Sequence, residues 1–400
     1  MSQPVVDLRL IISGFIIFTV LYWSCVVVHR VFLSSLAKFP GPKLAAATSW
    51  YEAFFDLHSA NFPAVLEKLH DKYGPIVRIN PWELSYVMPI LFSGTALSRI
   101  RDADFYNEVY VSAGKRRTNL ISNRDGLGMS DAISTTHNHE LHQIRRKAVE
   151  NFFSRQSVNR MESRVHDEAK SLDDKLRLLA GTGTIVQLDH AFTCVTGDLA
   201  ALFACGENPR LLESPNFNPE CILEMVPVTL LQRINSRVGG FRMFHELCKR
   251  RVEEVKSDIA NKHEFEESGK ISIFHHILQS NLPDSEKDSG RLQREAFALW
   301  AAGTITTAST LSIITYYILA DPLIEKRLRE ELKDVTGDFP KQIPQWADLE
   351  KVPYLAGCIK EGLRLSGFFR RSPRISPDYD LQYKQWIIPK NYLTALMMAY

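Results

Sequence analysis

Residues Leu10 to Val28 read LIISGFIIFTVLYWSCVVV, nineteen residues without a charge. As a helix rising about 1.5 Å per residue, the run spans roughly 28 Å, the thickness of a bilayer's hydrocarbon core. Tyr22 and Trp23 sit toward one end, where amphipathic aromatic rings settle at the interface. A cleaved secretory signal is the alternative. Against it stand the length of the run, the lack of a small-x-small cleavage site and the basic residues that follow. His29, Arg30, Lys38 and Lys43 come after the span, and Arg9 alone precedes it. That asymmetry predicts a single-pass anchor, with the short N-terminus across the membrane and the body of the chain in the cytosol.

The remainder has enough apolar material for a large core: 45% of the 400 residues are hydrophobic and 24% charged. A net charge of +2 and the lack of a long basic run give no field for nucleic acid, so no nucleic-acid partner is expected. The six cysteines, at 25, 194, 205, 221, 248 and 358, are scattered and form no CxxC pair. That argues against a disulfide framework or zinc module and fits reduced thiols acting as small apolar side chains. No repeat of 20 to 50 residues occurs, and no G-x-S-x-G elbow of a hydrolase.

After the anchor, Phe39-Pro40-Gly41-Pro42-Lys43 cannot continue a helix and reads as a stiff hinge between membrane and body. Helical spacing is predicted over 46 to 74, and strand alternation over Pro75 to Ile79, closed by Asn80-Pro81. Further helices are expected at 138 to 160, 163 to 178, 190 to 205, 240 to 262, 291 to 319 (stopped by Asp321-Pro322) and 354 to 366. Asn281 to Gly290 reads as a polar loop, and short strands follow Pro373. The chain is therefore mainly α with a small β region and no β-α alternation.

Three clusters carry chemistry. Glu361 and Arg364 stand three apart, on one helix face, and can pair; by itself this would be a surface ion pair worth ~0–1 kcal/mol. Ala302-Gly303-Thr304-Ile305-Thr306-Thr307 lies mid-helix. Gly303 costs about 1 kcal/mol of propensity there, so it needs a reason: a flat ligand approaching closely, or small residues for tight core packing. Thr306 and Thr307 can bond back to the i−4 carbonyl. His137, His139 and His142 invite a zinc reading, but the HExxH spacing is missing and three cations, Arg145, Arg146 and Lys147, follow at once.

Taken with Phe368-Phe369-Arg370-Arg371-Ser372-Pro373-Arg374 and Trp386-Ile387-Ile388-Pro389-Lys390, the first cluster resembles the K-helix ExxR motif of cytochromes P-450 and the strands after it. The second resembles their I-helix motif. HQIRRKAVENFFS, 142 to 154, resembles the C-helix of fungal members. The hinge, KYGPIVRINPWEL (72 to 84), DADFYNEVYV (102 to 111) and LQYKQWIIPK (381 to 390) are also similar to fungal segments, above all those near trichodiene oxygenase. The resemblance covers nearly the whole chain.

It implies a mainly α cytochrome P-450 fold, with an anchor over 1–30, a proline hinge over 31–45 and a catalytic domain over 46–400. It implies a haem-thiolate monooxygenase acting on a hydrophobic secondary metabolite such as a terpenoid or mycotoxin precursor. Such an enzyme sits in the endoplasmic reticulum membrane and takes electrons from NADPH–cytochrome P-450 reductase. By the same resemblance Thr306 serves proton delivery beside Gly303 and Thr307, His142, Arg146 and Arg374 meet the haem propionates, and Glu361 with Arg364 locks a buried core. Arg145 or Lys147 is then the surface residue meeting an acidic reductase.

The sequence also departs from the pattern. Ile305 stands where the family carries an acid, and isoleucine relays no proton. The Phe-x-x-Gly-x-Arg-x-Cys-x-Gly loop and the arginine that joins Glu361 and Arg364 do not occur before Tyr400, so no axial metal ligand is expected. Two rival readings follow: an inactive, truncated relative acting as a non-enzymatic membrane protein, and a redox-neutral relative. Residues 86 to 99, YVMPILFSGTALSR, have no clear period and separate segments that adjoin in the family; they are expected to be a retained intron or gene-model error. Sequencing of mature transcripts should then lack these codons, and continuous coverage would refute the idea.

Overall fold

The computed structural model describes residues 8–59, 62–87, 105, 108, 109, 129–214, 217, 239–260, 272–337, 339, 343–366 and 371–397. Most of the irregular stretch, 88 to 99, lies outside them; Tyr86 and Val87 belong to a strand. The chain divides into two compact units, Met1–Leu120 with Phe369–Ala399, and Ile121–Phe368.

In the first unit, α1 (Leu8–Val28) runs into a π-helical turn, His29–Leu33. The most apolar stretch within Ile11–Leu33 has a mean hydropathy of 2.3, and none of its residues is buried against the protein, as a lipid-facing helix requires. Beyond the hinge come α2 (Lys43–Ala47), α3 (Trp50–Ser59) and α4 (Phe62–Tyr73). Four strands then form one sheet, β1 (Ile76–Asn80), β2 (Glu83–Val87), β3 (Arg371–Ile375) and β6 (Leu393–Met397), in the order β1-β2-β6-β3. Only the β2–β6 pair is parallel. β4 (Leu381–Tyr383) and β5 (Trp386–Ile388) make a separate hairpin. Every residue of β1 is buried, because its two faces meet two cores. Ile76 packs with Leu36, Phe39 and Leu84, while Val77 and Ile79 pack with Phe62, Leu66 and Leu69.

The second unit is helical: α5 (His139–Val149), α6 (Arg155–Asn159), α7 (Glu162–Leu179), α8 (Leu188–Cys205), α9 (Gly239–Ala260), α10 (Ile273–Leu278), α11 (Ser289–Ala320), α12 (Pro322–Thr336), α13 (Trp346–Leu349) and α14 (Pro353–Ser366). The ends of α11 follow capping chemistry. Asp288 accepts the Arg291 N–H at 3.1 Å, and Asp321 accepts the Leu323 N–H at 2.9 Å, opening α12 with Pro322 in its first turn. The most apolar stretch of the 32-residue α11 has a mean hydropathy of 1.4, apolar enough to cross a membrane. It is instead a core helix, with Leu292, Ala296, Phe297, Trp300 and Ala301 buried in the main hydrophobic cluster.

Three contacts seat α11 on α8. Trp300 Nε1–H donates to the Gly197 carbonyl at 3.1 Å, Thr196 Oγ1 lies 3.0 Å from the Thr304 carbonyl, and a Cβ on Gly303 would stand 3.1 Å from that of Ala200. The backbones approach because small residues face each other. On α14, Gly362 is buried against Ile314 of α11, and any side chain there would overlap it. Gly362→Ala should therefore lower stability by about 1–2 kcal/mol net, the overpacking outweighing the gain in helix propensity. Urea unfolding would show a lower midpoint at unchanged slope; an unchanged midpoint would mean the two helices have room to spare.

Candidate functional site

The middle of α11 presents two unlike faces. Thr304 and Ala308 are buried, whereas Ala302 and Thr307 are exposed and Ile305 and Thr306 half-buried. Thr306 Oγ1–H donates to the Ala302 carbonyl at 2.8 Å, and Thr304 and Thr310 make the same back-bond to Trp300 and Thr306. Thr306 thus caps a carbonyl of its own helix as expected, whereas Thr307, expected to do the same, makes no such bond among the described residues. A Cβ on Gly303 would stand 3.1 Å from that of Ala200 of α8, so close helix packing by itself accounts for the glycine. Among the readings of Gly303, tight helix packing is the one the geometry supplies.

On α5, Asn138 caps the helix by accepting the Leu141 N–H at 2.8 Å. His142 is half-buried and Arg146 is exposed one turn later, so both lie on one face. Arg145 points elsewhere and is only 2% exposed. It was expected as an option for the reductase-facing surface residue, and the structure corrects this. Its Nε and Nη2 grip Glu286 at 2.6 and 3.1 Å, Nη2 also meets Asp131 at 2.8 Å, and Nη1 donates to Thr136 Oγ1 at 2.7 Å and the Asp131 carbonyl at 3.1 Å. Five acceptor atoms hold the guanidinium inside, while Lys147 beside it stays exposed.

The same Glu286 carboxylate accepts from Arg291 Nε at 2.8 Å, so one carboxylate joins α5 to the first turn of α11. The Arg145 hydrogen bond, with Arg291 beyond it, holds the Glu286 carboxyl below its usual range against the opposing effect of burial. One turn on, buried Glu295 accepts the Ile133 N–H at 2.8 Å and lies 3.6 Å from Arg291 Nη1. Burial pushes the Glu295 carboxyl up to about 7, outweighing Arg291 and the Ile133 N–H. The stretch 281–290 reads from sequence only as a polar loop. The signals that could have found this cluster are the Arg145-Arg146 doublet and the i,i+4 pair Arg291–Glu295.

On α14, Arg364 clamps Glu361 with two hydrogen bonds, Nε–Oε2 at 2.8 Å and Nη2–Oε1 at 2.5 Å. The pair forms as predicted but is not buried: the side chains are 35% and 56% exposed. α14 turns Gly362 toward α11, which leaves its neighbours Glu361 and Leu363 on the open side.

Arg374, in the first unit, stands on β3 opposite Thr394 of β6, and directly paired residues share a sheet face. The buried Thr394 hydroxyl has no hydrogen-bond partner among the described residues. His142 and Arg146 on α5, and separately Arg374 on β3 beside the spare Thr394 hydroxyl, are groups able to donate hydrogen bonds to a carboxylate. An axial thiolate is not offered by the described cysteines. Cys194, Cys205 and Cys248 are buried in the helical core, Cys25 lies on α1, and Cys358 is a half-buried residue of α14 whose thiol burial pushes up. Cys221 lies outside the described residues, and no group of three metal-binding side chains occurs among them.

Glu295 makes the stability of this unit depend on pH. Its folded pKa lies above the ordinary carboxylate value, so its contribution is present below that value and fades as pH rises through about 7. In the same unit buried His275 and half-buried His276, pushed down by burial, work in the opposite sense below pH ~6.5. Glu295→Gln isolates the first effect. The variant should gain roughly 2–3 kcal/mol over the wild type between pH 5 and pH 8, and parallel profiles would show that Glu295 does not titrate there.

The cytochrome P-450 family profile matches residues 42–399. Similar proteins include cytochrome P-450 monooxygenase sdnH of Sordaria araneosa, 40% identical over 95% of this chain and 74% of that protein. Stellatic acid synthase of Emericella variicolor is 36% identical over 92% of this chain and 72% of its own. Fusicoccadiene C-8 hydroxylase of Phomopsis amygdali is 35% identical over 98% and 78%. On the extent of these matches, this chain belongs to the cytochrome P-450 monooxygenase family of fungi.

Proposed function

We propose that this fold serves haem-dependent insertion of one oxygen atom from O₂ into a hydrophobic secondary metabolite, such as a terpenoid or mycotoxin precursor. The observation that carries the reading is the accessible face of α11: Ala302, Thr306 and Thr307 stay open mid-helix while the opposite face is packed on α8. The likeness to a hydroxylase named for C-8 of fusicoccadiene supports the substrate class. When bound, haem supplies the activation of O₂, with electrons passed from NADPH by a cytochrome P-450 reductase. His142, Arg146 and Arg374 would hold its propionates by charge-assisted hydrogen bonds. Thr306 keeps its proton on the Ala302 carbonyl, so its oxygen is free to accept and must turn away from that carbonyl to donate. Ile305, beside it, adds no proton relay. The anchor over 1–30 and the hinge over 31–45 place the catalytic domain, 46–400, on the cytosolic face of the endoplasmic reticulum.

The burial of three cysteines in the core and the exposed Glu361–Arg364 pair favour a second reading, a relative that resides in the membrane without turnover. Ile305 favours a redox-neutral variant of the first. The full chain, reconstituted with haem, reduced and treated with CO, separates them. The red-shifted Soret band of a haem-thiolate supports monooxygenation, whereas bound haem without that band leaves the second reading.

A further inference from the structure

Arg78 is the largest fully buried side chain of the first unit, 1% exposed, in the middle of β1. Buried guanidinium groups ordinarily find a carboxylate; this one makes no ion pair among the described residues and binds carbonyl oxygens instead. Nη1 donates to the Arg30 carbonyl at 2.8 Å and Nη2 to that of Pro81 at 2.9 Å, with Nε 3.4 Å from that of Asn80. Arg30 lies in the π turn that ends the membrane helix. There the Ser34 N–H reaches back five residues to His29 at 2.8 Å, rather than four to Arg30. The widened turn leaves the Arg30 carbonyl open to Arg78 and to Ser34 Oγ–H at 2.9 Å, one donor for each lone pair. A cation at the C-terminal end of a helix also meets the negative end of its dipole.

The backbone of the same residue holds the hinge. The Arg78 N–H donates to the Pro40 carbonyl at 2.7 Å. Gly41, at φ 155°, lies so close to the Arg78 carbonyl that a side chain there would collide with it. Arg30 in turn donates to the Ala47 carbonyl at 3.1 Å and lies over the Trp82 ring at 4.9 Å. We infer that Arg78 is the clamp that fixes the direction in which the membrane helix leaves the β unit, gripping the helix end with its side chain and the proline hinge with its backbone. A proline hinge alone stiffens the chain locally; the clamp sets the angle by tying residues 30, 40 and 78 to one another.

The inference rests on α1 lying in a bilayer, which flotation of the full chain with phosphatidylcholine vesicles tests separately. The clamp itself is tested by spin–spin distance measurement on the full chain in phosphatidylcholine nanodiscs. One nitroxide sits on native Cys25 of α1 and one on Lys68→Cys of α4, with Cys221→Ser and Cys358→Ser in the background. The unaltered clamp should give one narrow distance distribution. Arg78→Met should broaden it at least twofold. Arg78→Lys should also broaden it, since one ammonium cannot span carbonyls of Arg30 and Pro81; this variant decides the matter if the methionine variant does not fold. Gly41→Ala should act from the hinge side in the same sense. Distributions as narrow as the parent's in a folded Arg78 variant would overturn the clamp, even where amide exchange shows some local loosening.

Discussion

The central helix α11 is fastened where one of two facing residues is small or lacks a side chain. Gly303 meets Ala200, Gly362 of α14 meets Ile314, and Trp300 reaches a glycine carbonyl at Gly197. Close-packed interiors transmit any added volume into backbone shifts, so these points fix the rotation of α11 about its own axis. That rotation decides which residues of the Ala302–Thr307 segment face α8 and which remain accessible. The chemistry assigned to Thr306 therefore depends on a packing constraint several residues away from it.

The two buried arginines solve the same physical problem in different ways. Arg145 is compensated by carboxylates of Asp131 and Glu286, and Glu286 shares its charge with Arg291. Removing one partner from such a network leaves an uncompensated buried charge, a loss of about 3–5 kcal/mol in comparable cases, so the network holds α5 in place more firmly than it stabilises the fold. Arg78 is compensated by backbone carbonyls alone. Carbonyl oxygens can serve only if the chain brings them to the cation, and the π turn at Arg30 and the turn at Asn80-Pro81 converge for that purpose.

Placing the chain in a haem-enzyme family does not by itself complete a catalytic site. On α5 Arg146 is exposed and His142 half-buried, and on β3 a spare hydroxyl stands beside Arg374. The described thiols are occupied in packing. The Glu361–Arg364 pair shows how a motif can form locally without its tertiary setting: a bidentate i,i+3 contact needs only one helix, whereas its burial needs partners from outside that helix.

Short-range features were legible in the sequence because each is set by neighbours along the chain. The uncharged run 10–28 became α1, Pro75 to Ile79 announced β1, Asp321-Pro322 ended α11 and started α12, and the back-bond of Thr306 followed from its place in a helix. Long-range outcomes were not. Arg145, Arg146 and Lys147 are equally basic and adjacent, yet only Arg145 is buried, because Asp131 and Glu286 arrive from distant parts of the chain. Gly303 read equally as a ligand contact or a packing site until α8 lay against it. Arg78 looked like one polar residue in an alternating strand, and its partner Arg30 is 48 positions away. The sequence by itself determined the long apolar N-terminal helix, the order of helices and the family; the tertiary structure decided which charges are buried and which face of α11 is open. Helix formation and capping are decided within a few residues, whereas the burial of a charge depends on acceptors that only folding brings within hydrogen-bond reach.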